Sequence, residues 1–197
     1  MRRLILWGVV FTCCIVGGLL SALPANALFT QCPAIGADAG CGILITIPGG
    51  GGQPTIAADV TQGPYDGIED TLIGVLNNSS QTIQSLHLTS SSAPIFGFDG
   101  DGLCTVSPHP GGCPFGTTGY EGPGTSFHNI SAAFLAGDVF FSNLGPGGTA
   151  FFSLEEALDA ASFQAAVGNV PEPTTLLLWG TSLAGLGLVR RLRGRRN

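Results

Sequence analysis

The chain contains no lysine, and between Leu28 and Val170 it contains no arginine either. All seven arginines sit at the ends: Arg2 and Arg3 near the start, and Arg190, Arg191, Arg193, Arg195 and Arg196 near the finish. The stretch between holds twelve of the thirteen acidic residues, the other being Glu172, so its formal charge is −12. A segment without cationic side chains has nothing with which to neutralise phosphates, which argues against nucleic acid as a partner. Adhesion to anionic lipid is poorly supported for the same reason. Its carboxylates have no Lys or Arg to pair with. They must be solvated, hydrogen-bonded or neutralised by bound cations. Tryptophan is missing from this stretch as well, because Trp7 and Trp179 both fall in the apolar ends. Without indole rings to stack on sugars, the glycosidase and lectin readings lose ground.

What is present at the ends reads as an address. The start, "MRRLILWGVVFTCCIVGGLLSALPANA", has a basic opening, an apolar run from Leu4 to Leu23, then Pro24 and an Ala-x-Ala site formed by Ala25 and Ala27. This is the pattern of a secretory signal peptide cut by signal peptidase after Ala27. Val10-Phe11-Thr12 before Cys13 is too bulky for a lipoprotein site. At the other end, Val170-Pro171-Glu172-Pro173 precedes an apolar run, Thr174 to Val189, and then the arginines. The run has sixteen residues and as a helix would span about 24 Å, short of the ~30 Å hydrocarbon core. Arginines in that position stay cytoplasmic, leaving the acidic middle outside. A marginal span of this kind suits a transient hold better than a permanent anchor.

These features together resemble the PEP-CTERM sorting signal, a tail that has also been labelled the C-terminal domain of ice-binding proteins. The residues that carry the likeness are Pro171, Glu172 and Pro173, the Leu- and Gly-rich run, and Arg190, Arg191 and Arg193. The resemblance implies processing by an exosortase, a membrane cysteine protease, in a Gram-negative bacterium that makes exopolysaccharide. It implies passage through the inner membrane and then the cell envelope or extracellular matrix, in an exopolysaccharide or biofilm setting. Proline resists helix, so Pro-Glu-Pro leaves an extended strip for a protease ahead of the membrane. Ice binding does not come with the label: a flat ice face calls for regularly spaced threonine ranks, and none is present.

The middle is punctuated by Gly and Pro throughout, and short β-rich runs lie between the breaks. They are residues 42–47, 55–61, 71–77, 82–90, 94–98, 126–134, 138–144 and 149–154. In "TIQSLHLTS", Leu86 and Leu88 keep the alternation of a half-buried strand while Ile83 breaks it. Many short strands with polar turns predict a mainly β fold, an antiparallel β-sandwich of Ig-like or jelly-roll-like type, flanked by an N-terminal signal helix and a C-terminal membrane helix over 174–189. Ser153-x-x-Glu156 has the form of a capping box, so a short helix over 154–166 is expected, the alternative being a tether. The organisation read from these signals is 1–27 signal peptide, 28–156 exported sandwich, 157–169 linker or short helix, and 170–197 sorting signal. The phrases "GPYDGIEDTLIGVLNNSS", "IFGFDGDG", "YEGPGTSF" and "PGGTAFFSLEE", over roughly residues 63–156, also resemble the bodies of other proteins sorted this way.

Signal removal leaves Cys32, Cys41, Cys104 and Cys113, two pairs with eight residues inside each. An even count in an exported chain reads as disulfides, and short loop closure favours Cys32–Cys41 and Cys104–Cys113. The second loop contains His109, so a Cys104-His109-Cys113 metal site is the competing reading. Acidic residues cluster at Asp66, Glu69 and Asp70 and at Asp99 and Asp101. "FDGDG" resembles the start of a calcium loop, although an EF-hand is excluded because its twelfth position from Asp99 is Pro110. Two readings stay open: Asx turns between strands, or a calcium site on Asp66, Asp70, Asp99 and Asp101. His87 and His128 lie in strand-like runs and read as surface or packed residues. The function expected is a non-enzymatic exported protein with a structural or adhesive role, assisted by calcium and meeting exopolysaccharide. The alternative is a secreted carbohydrate-active enzyme.

Overall fold

The structure, a computed structural model, describes residues 28–168. The expected signal helix at 1–27 and apolar helix at 174–189 lie outside the described residues. Among the described residues no helix is long and apolar enough to cross a membrane.

Two four-stranded sheets share one apolar core. The strands are β1 (Ile43–Ile47), β2 (Thr55–Ala58), β3 (Thr71–Asn77), β4 (Ile83–Ser90), β5 (Thr125–His128), β6 (Ala136–Leu144), β7 (Thr149–Leu154) and β8 (Phe163–Val167). One sheet runs β2-β1-β3-β7 and the other β5-β6-β4-β8. All neighbours are antiparallel except β1 and β3, which pair in parallel. The arrangement is therefore antiparallel-rich, not purely antiparallel as the turn pattern suggests. The departure arises because β2 folds back beside the outer edge of β1, leaving its inner edge for β3.

Alternation explains most of the core. Ile43, Ile45 and Ile47 of β1 point inward, as do Ile73 and Val75 of β3, and they meet Leu86, Leu88, Val139 and Phe141 of the other sheet. Ile83 is buried with them despite its parity, because the β4–β6 register shifts between Ile83 and Ser85. One extra residue in a bulge returns an odd-numbered side chain to the face of even-numbered ones.

β3 is apolar on both faces because both are covered. Leu72 looks away from the main core into a second cluster with Cys32, Ile35, Cys41, Tyr65 and Leu103. The cover is an N-terminal segment closed by the Cys32–Cys41 disulfide and a loop closed by Cys104–Cys113. Gly74 permits the close approach: a Cβ there would lie 2.3 Å from the Cys41 sulfur. The Cys104-His109-Cys113 metal site is overturned, because both of its thiolates are spent in one disulfide.

Three expectations fail locally. Residues 94–98 form buried turns, with Gly97 donating to the Pro94 carbonyl at 2.7 Å, and no strand. The run at 126–134 is strand only through His128, since Asn129 and Phe134 take φ of 52° and 59°. The short helix or linker after residue 156 is instead a turn closed by Asp159 and the edge strand β8, paired with β4 from Leu86↔Val167 to Ser90↔Phe163. Ser153 is no helix cap: it is a fully buried residue of β7, its hydroxyl 3.2 Å from that of Tyr65.

At the far end of β3 from its first residue, one side chain ties two turns together. The Asn77 amide donates to the carbonyls of Gln81, Leu144 and Gly145, at 2.8, 2.9 and 3.0 Å. Its Oδ1 accepts from the Ser79 N–H and hydroxyl. Asn77→Ala strips donors from buried acceptors and is expected to cost about 2 kcal/mol, read as a lower urea midpoint with unchanged slope. A loss under ~0.5 kcal/mol would mean that water replaces these bonds without penalty.

Candidate metal centre

The register of β3 against β7 builds the most heavily charged corner of the molecule. Thr71 pairs with Leu154 at the sheet's end. The residue before β3, Asp70, and the residue after β7, Glu155, therefore emerge side by side. A third segment arrives from the buried turn at Ile95, whose carbonyl accepts the Glu155 N–H at 3.2 Å, and continues into Asp99 and Asp101. The result is two trios of carboxylates, Asp70-Asp101-Glu155 and Glu69-Asp99-Glu155, each with ligand atoms within 4.8 Å of one another. Oxygens bound to one calcium at 2.3–2.6 Å can be at most about 5 Å apart, so each trio has the spacing that a cation needs. Among the described residues, these are the groups of three or more His, Cys, Asp or Glu residues with that spacing.

Asp70 is fully buried and Glu155 is 6% exposed, yet Asp70 Oδ1 and Glu155 Oε2 have no hydrogen-bond partner. A buried carboxylate oxygen without a donor is costly. Both tyrosines of the chain converge on the same corner. The Tyr65 hydroxyl donates to Asp70 Oδ2 at 2.7 Å. The Tyr120 hydroxyl donates to Asp101 Oδ1 at 2.6 Å and lies 3.2 Å from Asp99 Oδ1. The tyrosines orient these carboxylates while leaving oxygens for a further ligand, as outer-shell partners do around metals.

The charges oppose one another. Burial pushes the Asp70 carboxyl up to about 8; the Tyr65 hydrogen bond works against this, and the charges of Glu155, Asp101 and Asp66 add to it. Burial also raises Glu155, against the Tyr120 hydroxyl and with Asp99 and Asp101. For Asp101 the Tyr120 hydrogen bond lowers the pKa, but Asp99 and burial outweigh it and the net shift is upward. Asp99 moves down, chiefly because Asp101 hydrogen-bonds to it. With no Lys or Arg in the described residues, a proton or a metal ion must supply the compensation.

Of the four expected ligands, Asp70, Asp99 and Asp101 meet here and Asp66 contributes to neither trio. Asp66 is the Asx turn of the competing reading: its Oδ1 accepts the N–H groups of Ile68, Glu69 and Asp70 at 3.0–3.1 Å. It shapes the loop that delivers its neighbours. Two trio members are absent from the expected ligand set: Glu69, which the sequence places in the acidic cluster, and Glu155, to which no sequence feature points. Glu155 directly follows the apolar run "TAFFSL", but only the pairing of Thr71 with Leu154 brings it beside Asp70.

Two other places carry polar chemistry. On the other sheet, His87 Nδ1 lies 2.6 Å from Asp138 Oδ1, while Asn129 donates to Asp138 Oδ2 at 2.6 Å. Within β5, Ser126 Oγ lies 3.0 Å from His128 Nε2. A groove of about 410 Å³ opens beside Pro48, Gln53, Ser79 and Ala166, at the far end of β3 from Asp70. No carboxylate, histidine or cysteine lines it.

β8 ends at Val167, just ahead of the C-terminal tail. Residues 169–193 match the PEP-CTERM protein-sorting motif. The PEP-CTERM motif takes in Pro171, Glu172, Pro173, Arg190, Arg191 and Arg193, all outside the described residues. A PEP-CTERM tail marks an exported, membrane-transiting protein that is sorted by an exosortase. Neither a curated protein nor a solved structure matches the chain. The PEP-CTERM match thus speaks for the delivery of the folded body and leaves its chemistry to be read from the carboxylate corner.

Proposed function

We propose that the body of this chain is a non-enzymatic structural or adhesive module of a Gram-negative envelope or exopolysaccharide matrix, stiffened by bound calcium. Signal peptidase frees its N-terminus and an exosortase processes its tail. The observation that carries the calcium reading is the pair of buried, unpartnered oxygens, Asp70 Oδ1 and Glu155 Oε2, in a trio of cation spacing. Hard oxygen ligands at such a density suit calcium. The groove has no acid or base to cleave a sugar, and Glu69, Asp70, Asp99, Asp101 and Glu155 cluster at the opposite end of β3.

Calcium at 100 times its dissociation constant is expected to stabilise the mature protein by about 2.7 kcal/mol. Sodium chloride of equal ionic strength should add only the modest effect of screening. Equal shifts in melting temperature from the two salts would remove the calcium site. Turnover of a polysaccharide, abolished by one Asp or Glu substitution in a folded protein, would establish the enzyme reading instead. Mass spectrometry of protein from its own host should find Leu28 first and the Arg190–Arg196 cluster gone; an intact tail on most molecules would identify a plain anchor.

A further inference from the structure

Five carboxylates meet at the end of β3, but they do not form a single nest. Glu69, Asp99 and Glu155 satisfy the cation spacing as one group, and Asp70, Asp101 and Glu155 as another. Glu155 is common to both, and the remaining four do not merge into one set. One ion therefore cannot collect all five without rearrangement. A carboxylate has two oxygens, however, and can serve one ion with each.

We infer that the corner is a two-position calcium site bridged by Glu155, an inner position held by Asp70 and Asp101 and an outer one by Glu69 and Asp99. The inference rests on the calcium reading above and adds its stoichiometry and its order of filling. The inner trio contains two buried residues and the unpartnered oxygens of Asp70 and Glu155. The outer trio contains exposed Asp99 and half-buried Glu69, so water completes the coordination there more easily. The charge count points the same way. Five carboxylates around one divalent ion leave −3, and around two leave −1. No Lys or Arg of the described residues can take up the difference.

The tyrosines divide the labour between the positions. Tyr65 holds Asp70, an inner ligand, through Oδ2 and leaves Oδ1 unpartnered. Tyr120 spans the two, touching inner Asp101 and outer Asp99. Filling the inner position fixes Glu155, the ligand that the two positions share, and Asp101, which the Tyr120 hydroxyl links to Asp99. The inner ion should bind first and tighter.

The test is calcium titration of the mature protein, stripped with chelator, by calorimetry and native mass spectrometry. Two ions per chain are expected, with affinities at least tenfold apart. The double variant Glu69→Gln with Asp99→Asn should retain one ion, the tighter, while Glu155→Gln should retain none at affinities within a hundredfold of the parent. Far-UV circular dichroism of each variant establishes that the fold is kept. If a variant unfolds, the stoichiometry of the parent alone decides. A parent that binds one ion, lost equally on removing either trio, overturns the two-position site and keeps the calcium reading. A parent that binds none overturns both.

Discussion

Calcium-free protein carrying Asp70→Asn is expected to be more stable than the parent at pH 8, by on the order of 5 kcal/mol, and to match it below pH 4. The unfolded carboxyl ionises near 3.8, whereas in the folded state burial pushes Asp70 up to about 8. Between those values the folded parent holds a proton that the unfolded chain releases. Stability therefore falls as pH rises through the window, and it is fully present only below the unfolded value. Asparagine carries no charge to bury. Its oxygen can accept from Tyr65, and its amide can donate to the carboxylates around it. Asp38, pushed up to about 6 by burial and by the charge of Asp59, adds a shallower decline that both proteins share. The stabilising substitution should also weaken the calcium response, because it replaces an inner ligand and leaves the outer trio in place. In the parent, calcium displaces the Asp70 proton, so affinity should rise from pH 6 to pH 8 with proton release. Urea denaturation at pH 4, 6 and 8, with chelator and with calcium, reads all of this. Parallel pH curves for parent and variant would refute a buried, protonated Asp70.

Removing the Cys32–Cys41 disulfide, as Cys32→Ala with Cys41→Ala, is expected to cost about 3–5 kcal/mol. Closing a loop of this size contributes about 2.7 kcal/mol on chain-entropy grounds. The remainder comes from loosening the cover over Leu72 and Gly74 of β3. The Cys104–Cys113 disulfide has the same sequence separation of 9, so its entropic contribution is the same. Its cysteines are only half-buried, however, and Cys104→Ala with Cys113→Ala should cost about 2–3 kcal/mol. The difference between the two double variants isolates packing on the outer face of β3. Equal midpoints in urea would show that this face gains nothing from its cover.

How far such features could be read from the sequence depended on how local their causes are. β3 and β7 coincide with the runs "TLIGVLN" and "TAFFSL", whose apolar and β-branched content leaves few alternatives. The disulfides follow from short spacing and an oxidising destination. β8 was not legible, because "FQAAV" has the alanines of a helix and becomes a strand only on the free edge of β4. The false capping box failed for a related reason: Ser153 was already committed to β7, between Tyr65 and the Tyr120 carbonyl. Asp99 and Asp101 announced themselves by alternation with glycine. Glu155 could not, since only the pairing of Thr71 with Leu154 brings it beside Asp70. The two tyrosines stand out only once their hydroxyls are placed: among twelve phenylalanines, Tyr is used where a hydroxyl is needed.

The end of β8 sets the length of a leash. Seven residue steps separate Val167 from Thr174, where the apolar run begins, and a fully extended chain covers at most about 25 Å in that number. Until the tail is cut, the end of β8 can thus lie no more than about 25 Å from the start of the apolar run. Cleavage then does more than sever a bond: it removes the tether that limits how far the folded body can travel from the apolar run.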